Sequence, residues 1–174
     1  MSARSDPGSS PAWTRWLWIS LVVIVLDLAT KQAMLATFKP GEERVILPFF
    51  SLVLAFNPGA AFSFLAGASG WQRWFFSAVA LVASVVIVGL LRKGGSRGYC
   101  LALALILGGA LGNLWDRLTT GLVVDFLLFH WRGFAYPAFN VADSAITVGA
   151  VLLIADSFRA RKADPPASAV VKGR

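Results

Sequence analysis

The chain has 174 residues, of which 57% are hydrophobic and only 14% charged, and its mean hydropathy is +0.68. This length suits one domain, and this composition predicts a protein embedded in a membrane. The net charge of +7 does not indicate a nucleic-acid-binding protein, because the basic residues are concentrated in loops on one side of the apolar segments.

Four segments are apolar over roughly the 20 residues that are needed to cross a bilayer. In chain order they cover about residues 16–38, 74–91, 99–114 and 141–158. The first is not followed by a small-residue cleavage site, so we interpret it as a retained span and not as a signal peptide. The sequence therefore predicts a single membrane domain over residues 1–174, with mobile ends at about 1–11 and 164–174.

The positions of the basic residues predict the orientation of these spans. Ten of the 16 lysines and arginines precede span one, lie between spans two and three, or follow span four. The opposite loops are much longer and hold five. By the positive-inside rule, both termini are expected in the cytoplasm and the longer loops outside.

Span one contains two ionisable residues, Asp27 and Lys31. Their i, i+4 spacing predicts an ion pair on one face of a helix, which would make the burial of both charges tolerable. A proton or ion pathway is the functional alternative for such a pair inside a membrane.

The outer loops carry strand patterns. One covers residues 49–56 and stops at the turn signal Asn57-Pro58-Gly59, and a second covers residues 123–129. We expect these strands to form a small platform outside the membrane, resting on the helices. Aromatic residues flank the loops as an interfacial belt would, namely Trp71, Trp74, Trp115, Trp131 and Tyr136.

Span three carries the spacing Gly108-x-x-x-Gly112, which indicates close packing between helices. At its outer end, Asp116 and Arg117 are interpreted as an interfacial charge cluster. The single cysteine, Cys100, falls at the cytoplasmic start of the span and excludes a disulfide within the chain.

Asp125 and Asp143 each follow an apolar stretch at the same predicted depth, near the outer end of the bundle. Burial raises the pKa of an unpaired carboxyl group, and two carboxyls within reach of each other form an acid–base dyad. Two structural alternatives stay open. Asp143 could be the N-cap of span four, and Asp125 could be a charge that protects a strand edge.

Other hydrolytic chemistries have less support. Serine or cysteine catalysis usually needs a nearby base, but His130 has no serine close in sequence and is interpreted as a solvated loop residue. Cys100 lies across the membrane from the outer loops, although Lys31 could in principle pair with a serine. No residue spacing typical of a zinc site occurs, so neither a metal nor another cofactor is predicted.

Five motifs, in order from Asp27 to Asp143, closely resemble those of the lipoprotein signal peptidases, also called signal peptidase II. They are Asp27-Leu28-Ala29-Thr30-Lys31, Asn57-Pro58-Gly59-Ala60-Ala61-Phe62, Gly108-Gly109-Ala110-Leu111-Gly112-Asn113-Leu114-Trp115-Asp116-Arg117, Val123-Val124-Asp125-Phe126 and Phe139-Asn140-Val141-Ala142-Asp143.

The resemblance implies a mainly α membrane protein, a four-helix transmembrane bundle with a small extracytoplasmic β-cradle. It also implies a membrane aspartic endopeptidase of the bacterial cytoplasmic (inner) membrane. Such enzymes remove the signal peptide from diacylglyceryl-modified prolipoproteins, cut just before the lipidated cysteine and are inhibited by globomycin-type cyclic peptides. A monomer in contact with membrane lipid is expected.

The same resemblance implies roles for particular residues. Asp125 and Asp143 would be the catalytic pair, in an active site near the outer surface. The site-lining or orienting residues would be Asn57, Gly59, Asn113, Arg117 and Asn140. The supporting positions would be Asp27, Lys31, Ala60, Asp116 and Ala142. Small side chains at Gly59, Ala60 and Ala142 are expected to leave room for a substrate backbone.

Two other classes of protein stay open from the residue pattern. A small proton-coupled transporter or channel subunit would use Asp27, Lys31 and the aspartate pair as a relay, and a membrane scaffold would have no activity. A transporter would more naturally place its carboxylates at the bilayer midplane and show repeat symmetry. Here the aspartate pair lies at span ends, and the sequence shows no such symmetry.

Overall fold

The computed structural model describes residues 12–59 and 70–163, so both chain ends predicted to be mobile lie outside the described residues. The helices are α1 (Leu17–Thr37), α2 (Trp71–Lys93), α3 (Arg97–Thr119) and α4 (Val141–Ala163), and a 3-10 turn precedes α1. All four are long and apolar enough to cross a membrane, which confirms the four predicted spans.

Three helices extend beyond the apolar segments that predicted them. α2 begins at Trp71 and not at residue 74, α3 continues to Thr119 and does not end at residue 114, and α4 continues to Ala163 and does not end at residue 158. The polar side chains of Asn113 and Asp116 in the last turns of α3 are buried inside the protein, so the helix persists where its hydrophobic pattern stops. Hydropathy therefore marks only the part of this helix that is compatible with lipid.

α3 is the central helix of the bundle. In its most apolar window 61% of the residues are buried, against 17–28% in the other three helices. The outward faces of those three helices expose aliphatic side chains such as Val22, Val82 and Val151. Lipid accepts such surfaces, because the cost of exposing apolar groups arises only in water.

Small residues let α1 and α4 approach α3 closely. A Cβ atom added to Gly108 would lie 2.7 Å from Val23 of α1, and one added to Gly109 would clash with the backbone oxygen of Ala142 in α4. Side chains at these positions would push the helices apart. The spacing of small residues in α3 thus has the packing role that the sequence predicts.

A four-stranded antiparallel sheet covers one end of the bundle. Its strands are β1 (Glu43–Leu47), β2 (Phe50–Asn57), β3 (Val123–Trp131) and β4 (Phe134–Ala135), in the order β1-β2-β3-β4. β2 and β3 are the two predicted strands. β1 and β4 escaped prediction because every residue of both is exposed, so neither shows the alternation of a half-buried strand.

The sheet rests on the helices through a small apolar cluster. Leu54 of β2 and both Val124 and Phe126 of β3 pack against Met34, near the end of α1. This contact holds the sheet against the end of the bundle at which α1 and α3 finish and α2 and α4 begin. Asp125, between two residues of the cluster, is thereby brought to the start of α4.

The packing of α3 against α4 gives a stability prediction. Gly109→Ala should lower the free energy of unfolding by about 1–3 kcal/mol, because the new methyl group meets the backbone of α4. The matched control is Gly89→Ala in α2, where an added Cβ has nothing within 4 Å. The control should be neutral or more stable by up to about 1 kcal/mol. Thermal unfolding in detergent measures both, and equal behaviour of the two variants would contradict the packing account.

Candidate active site

Asp125 lies in the interior of the sheet. It pairs with Ala55 of the neighbouring strand, and the residue is only 2% exposed. Two amide groups donate to its carboxylate: Asn57 Nδ2 to Oδ2 at 3.0 Å and Asn140 Nδ2 to Oδ1 at 2.8 Å. The alternative of a solvated charge at a strand edge is therefore wrong, because Asp125 is buried on a central strand.

Asp143 is the third residue of α4, which begins at Val141. The residue that caps this helix is Asn140, whose Oδ1 accepts a hydrogen bond from the backbone N–H of Asp143 at 2.9 Å. The N-cap alternative for Asp143 is therefore wrong. Its own side chain is free for another partner, and Oδ1 accepts from Asn113 Nδ2 at 2.7 Å.

Two asparagines connect the aspartates through one chain of hydrogen bonds. Asn140 Nδ2 donates both to Asp125 and, at 3.1 Å, to Oδ1 of Asn113. Asn113 in turn donates its Nδ2 to Asp143. The oxygen of each amide is occupied, so its nitrogen is directed at a carboxylate. The structure thus brings together the four residues Asp125, Asn140, Asn113 and Asp143, which come from three elements.

Lys31 fixes the orientation of the Asn113 side chain. Its Nζ donates to Asn113 Oδ1 at 3.1 Å, to Asp27 Oδ2 at 2.6 Å and to Asp116 Oδ2 at 2.8 Å. These three partners use all three N–H groups of the ammonium. The predicted Asp27–Lys31 pair is confirmed. The predicted Asp116–Arg117 cluster is wrong, because Asp116 turns inward to the lysine.

Asp27 also connects α1 to α4. Its Oδ1 accepts the backbone N–H of Ala142 at 2.9 Å, one of the N–H groups that a helix start leaves without an internal partner. Ala142 is fully buried, and its Cβ is 3.5 Å from the position that a Cβ on Gly112 would take. The expectation that Ala142 leaves room for a substrate backbone is wrong, because that room is filled by the contact between α3 and α4.

Gly59 holds the side-chain amide of Asn57 in place. Its backbone N–H donates to Asn57 Oδ1 at 2.8 Å, which turns Asn57 Nδ2 toward Asp125. Gly59 has φ +98°, and a Cβ there would lie 2.6 Å from the ring of Phe76. A side chain at this position is excluded by both conformation and space. Ala60, the next predicted residue, lies outside the described residues.

Arg117 lies beside this network without an ion pair to either aspartate among the residues that the structure describes. Its Nη1 donates to the backbone oxygen of Asn113 at 3.2 Å, and its guanidinium carbon lies 5.4 Å from the centre of the Phe76 ring. Its Nε is buried without a hydrogen-bond partner in the described ranges. Arg117 is thus a half-buried cation next to the carboxyl pair, with a donor still available.

The surroundings of Asp125 change the pKa of its carboxyl group. Burial raises the pKa of Asp125 to about 7, and the nearby negative charge of Asp143 adds to the increase. The amides of Asn57 and Asn140 act in the opposite direction. Near neutral pH the site therefore holds a proton that an ordinary exposed aspartate would have lost. Within residues 12–59 and 70–163, no three histidine, cysteine or acidic side chains are grouped so that they could hold a metal ion.

His130 does not lie in a loop, as the sequence indicates, but in β3, where it is half-buried. Its Nε2 lies 2.9 Å from Ser51 Oγ of β2. Sequence reasoning missed this serine because 79 residues separate the two. Ser51 is fully buried, so a substrate has no access to its hydroxyl, and the pair joins two strands.

Comparison with known proteins gives one consistent result. The family model described as signal peptidase (SPase) II matches residues 19–159. The lipoprotein signal peptidase of Ralstonia nicotianae is 56% identical over 159 residues, which cover 91% of this chain and 92% of the relative. That of Burkholderia ambifaria (strain MC40-6) is 57% identical over 160 residues, 91% of this chain and 96% of the relative.

The fold is also similar to that of solved structures. One, described as a bacterial membrane enzyme at 2.3 Å resolution, superposes with a TM-score of 0.77 at 29% identity and covers 88% of this chain and 93% of its own. A second, at 1.9 Å, gives a TM-score of 0.73 at 31% identity, with 83% and 92% covered.

The buried ion cluster gives a second prediction. Lys31→Met should lower the free energy of unfolding by about 3–5 kcal/mol, because it leaves the carboxylates of Asp27 and Asp116 buried without their cation. Lys39→Met is the matched control, since Lys39 is exposed, and it should change stability by no more than about 0.5 kcal/mol. Thermal unfolding in detergent compares the two, and a Lys31→Met protein as stable as the control would show that the cluster does not hold the helices together.

Proposed function

The chain belongs to the signal peptidase II family of membrane proteases, and on that basis we propose that Asp125 and Asp143 hydrolyse the peptide bond that releases the signal peptide of a prolipoprotein. One observation carries the assignment. The two carboxyls are held by a shared chain of amides, and burial of one of them raises the pKa of Asp125 to about 7. Carboxyls in such different environments can serve as acid and base in the same step.

In the proposed mechanism Asp125 is the acid and Asp143 the base. Ionised Asp143 takes a proton from a water molecule while the water oxygen attacks the scissile carbonyl carbon, and Asp125 gives its proton to the carbonyl oxygen. The product is a neutral tetrahedral diol. Asp143 then returns its proton to the amide nitrogen, the C–N bond breaks, and Asp125 recovers its proton from a hydroxyl of the diol. No atom or charge is left over.

The environments of the two residues support this division. Asp125 is the more buried, which favours its neutral form. Asp143 lies half-buried at the start of α4 and accepts a hydrogen bond from Asn113. A hydrogen-bond donor and the positive end of a helix dipole both stabilise a carboxylate. Arg117, with its unpartnered Nε, can donate to a carbonyl of the bound chain.

We extend the proposal to the substrate and the location of the enzyme. The substrate is a prolipoprotein whose cysteine already carries diacylglycerol, the cut falls just before that cysteine, and globomycin-type cyclic peptides compete for the same site. A monomer suffices, because the described network is complete within one chain. The enzyme resides in the bacterial cytoplasmic (inner) membrane, in contact with its lipid.

The orientation follows from the charges at the two ends of the bundle. The end away from the sheet carries the concentration of lysines and arginines, which the positive-inside rule assigns to the cytoplasm. Both termini are then cytoplasmic, and the aspartates lie near the outer surface, where the substrate meets water. Exposed Trp71, Trp74 and Trp131 near the sheet suit the outer interface.

The transporter alternative has no support from the comparisons, which name peptidases. The structure offers a physical reason against a relay through Lys31. Each N–H of its ammonium already has a carboxylate or amide oxygen as acceptor, and the fully buried Asp27 uses its second oxygen on the backbone of α4. No N–H group of Lys31 is left for a relay, as expected of an ion cluster with a structural role.

Replacing either aspartate should abolish cleavage. Asp125→Asn and Asp143→Asn each remove one half of the proton exchange at nearly constant volume, and losses of several orders of magnitude in kcat are expected for members of one catalytic unit. Asp156→Asn is the matched control, because Asp156 contacts Ser96 at the opposite end of the bundle. It should keep its activity. The assay is cleavage of a lipidated prolipoprotein in detergent, and near-normal turnover by either of the first two variants would overturn the role of that residue.

A further inference from the structure

The end of the bundle remote from the aspartates contains a cavity of about 230 Å³. It lies where the 3-10 turn before α1, the end of α2 and the start of α3 meet. This volume greatly exceeds the roughly 10–15 Å³ that one water molecule requires, so a small polar group fits. The residues that line it are Ala12, Trp13, Arg15, Trp16, Leu91, Arg92, Gly94, Gly95 and Cys100.

Two arginines and two tryptophans dominate this lining. The guanidinium carbon of Arg15 lies 5.2 Å from the ring centre of Trp16, and that of Arg92 lies 5.8 Å from the ring centre of Trp13. Stacking on an indole restrains a long side chain. The cavity therefore presents two guanidinium groups that are partly ordered before any ligand arrives.

The charged side chains that line the cavity, Arg15 and Arg92, are both basic. Among the described residues that line it there is no aspartate or glutamate. Asp156 is at the same end of the bundle, but its Oδ1 accepts a hydrogen bond from the Ser96 hydroxyl at 2.6 Å, beside the cavity wall. The two lining arginines have no ion-pair partner among residues 12–59 and 70–163. An anion with several oxygen atoms would satisfy them, and a guanidinium matches a phosphate in a bidentate manner.

The position of the cavity decides the source of such an anion. It opens at the end of the transmembrane helices, and Trp13 and Trp16 are the type of residue that lies at the level of lipid headgroups. Leu91, in the last turn of α2, gives it an apolar floor. Basic pockets between helices on the cytoplasmic side of a membrane suit anionic headgroups. We propose that this cavity binds the phosphate group of an anionic phospholipid from the cytoplasmic leaflet.

This inference goes beyond the proteolytic function, because the aspartates lie at the other end of the bundle. A bound lipid would connect the 3-10 turn to the ends of α2 and α3. It would therefore stabilise the cytoplasmic end of the protein while leaving the chemistry of cleavage unchanged.

The test is a lipid-binding titration on the purified full-length protein in a neutral detergent. Short-chain phosphatidylglycerol is the probe, and phosphatidylcholine of equal chain length and inorganic phosphate are the comparisons. Native mass spectrometry measures the bound fraction. Phosphatidylglycerol should bind saturably and more tightly than either comparison. In Arg15→Gln/Arg92→Gln the affinity should fall about thirtyfold, because each guanidinium lost from the cavity lining removes direct contacts with the phosphate of about 1 kcal/mol, or about fivefold.

The matched control is Lys93→Gln/Arg97→Gln, which removes the same charge from the same end of the protein without touching the cavity lining. It should bind the probe within about twofold of the wild type. Arg15→Lys/Arg92→Lys keeps the charges that orient the chain but loses the planar guanidinium groups. It should bind phosphatidylglycerol several-fold more weakly than the wild type does. If the glutamine pair does not fold, the lysine pair is the variant that tests whether the cavity binds the lipid.

Three results would overturn the proposal. They are equal weakening in the cavity pair and the control pair, equal binding of phosphatidylglycerol and phosphatidylcholine, and binding of inorganic phosphate as tight as that of the lipid. Prolipoprotein cleavage by Arg15→Gln/Arg92→Gln in detergent should match the wild type. A failed lipid site and a failed catalytic assignment are thus distinguishable, because the first appears in binding and the second in turnover of the aspartate variants.

Discussion

The ammonium group of Lys31 is the constraint on which the rest of the structure depends. An unpaired charge in the interior of a membrane protein is costly, and here three acceptors from two helices surround it. Each of these three residues also makes a second contact. Asp27 also holds the first turn of α4, Asp116 accepts the backbone N–H of Val124 in β3, and Asn113 orients Asp143. One cation thereby fixes α1, α3, α4 and the strand that carries Asp125 relative to each other.

Asn113 and Asn140 connect this rigid framework to the two carboxyl groups. Asn113 and Asn140 each have an oxygen that is already used, by Lys31 and by the start of α4 respectively. Their amide nitrogens are then directed toward the carboxylates, Asn113 Nδ2 to Asp143 and Asn140 Nδ2 to Asp125. Because the amide network does not carry charge, it positions two acidic groups close together without neutralising either. The burial of Asp125 then raises the pKa of its carboxyl group to about 7.

The sequence predicted the features that follow from local periodicity or from motif order. The four spans, two strands, the Asp27–Lys31 pair and the packing glycines were all accessible in this way. The partner of Asp116 was not, because neighbouring Arg117 offers a plausible ion pair and nothing local shows that Asp116 faces Lys31, 85 positions earlier in the chain. Only the packing of α1 on α3 reveals it.

The other failures have both local and long-range causes. Asn140 carries the typical cap residue type, yet Asp143 is equally suitable by composition, and only the start of α4 at Val141 distinguishes them. The bond between Ser51 and His130 requires the pairing of β2 with β3. The strands β1 and β4 are fully exposed and depend on their neighbours for hydrogen bonds, so their own residues hold little information about them.

The central claim is that Asp125 retains a proton near neutral pH, and a carboxyl titration tests it most directly. The measurement follows the carbon-13 signals of labelled aspartate carboxyls by NMR between about pH 4 and 9, in the wild type and in Asp125→Asn. Since the pKa of Asp125 is raised to about 7, its proton should be present below that pH and lost above it. The account predicts a carboxyl signal with a midpoint near pH 7 that is absent from Asp125→Asn. Complete ionisation of Asp125 by about pH 5, close to the range of ordinary aspartates, would contradict it.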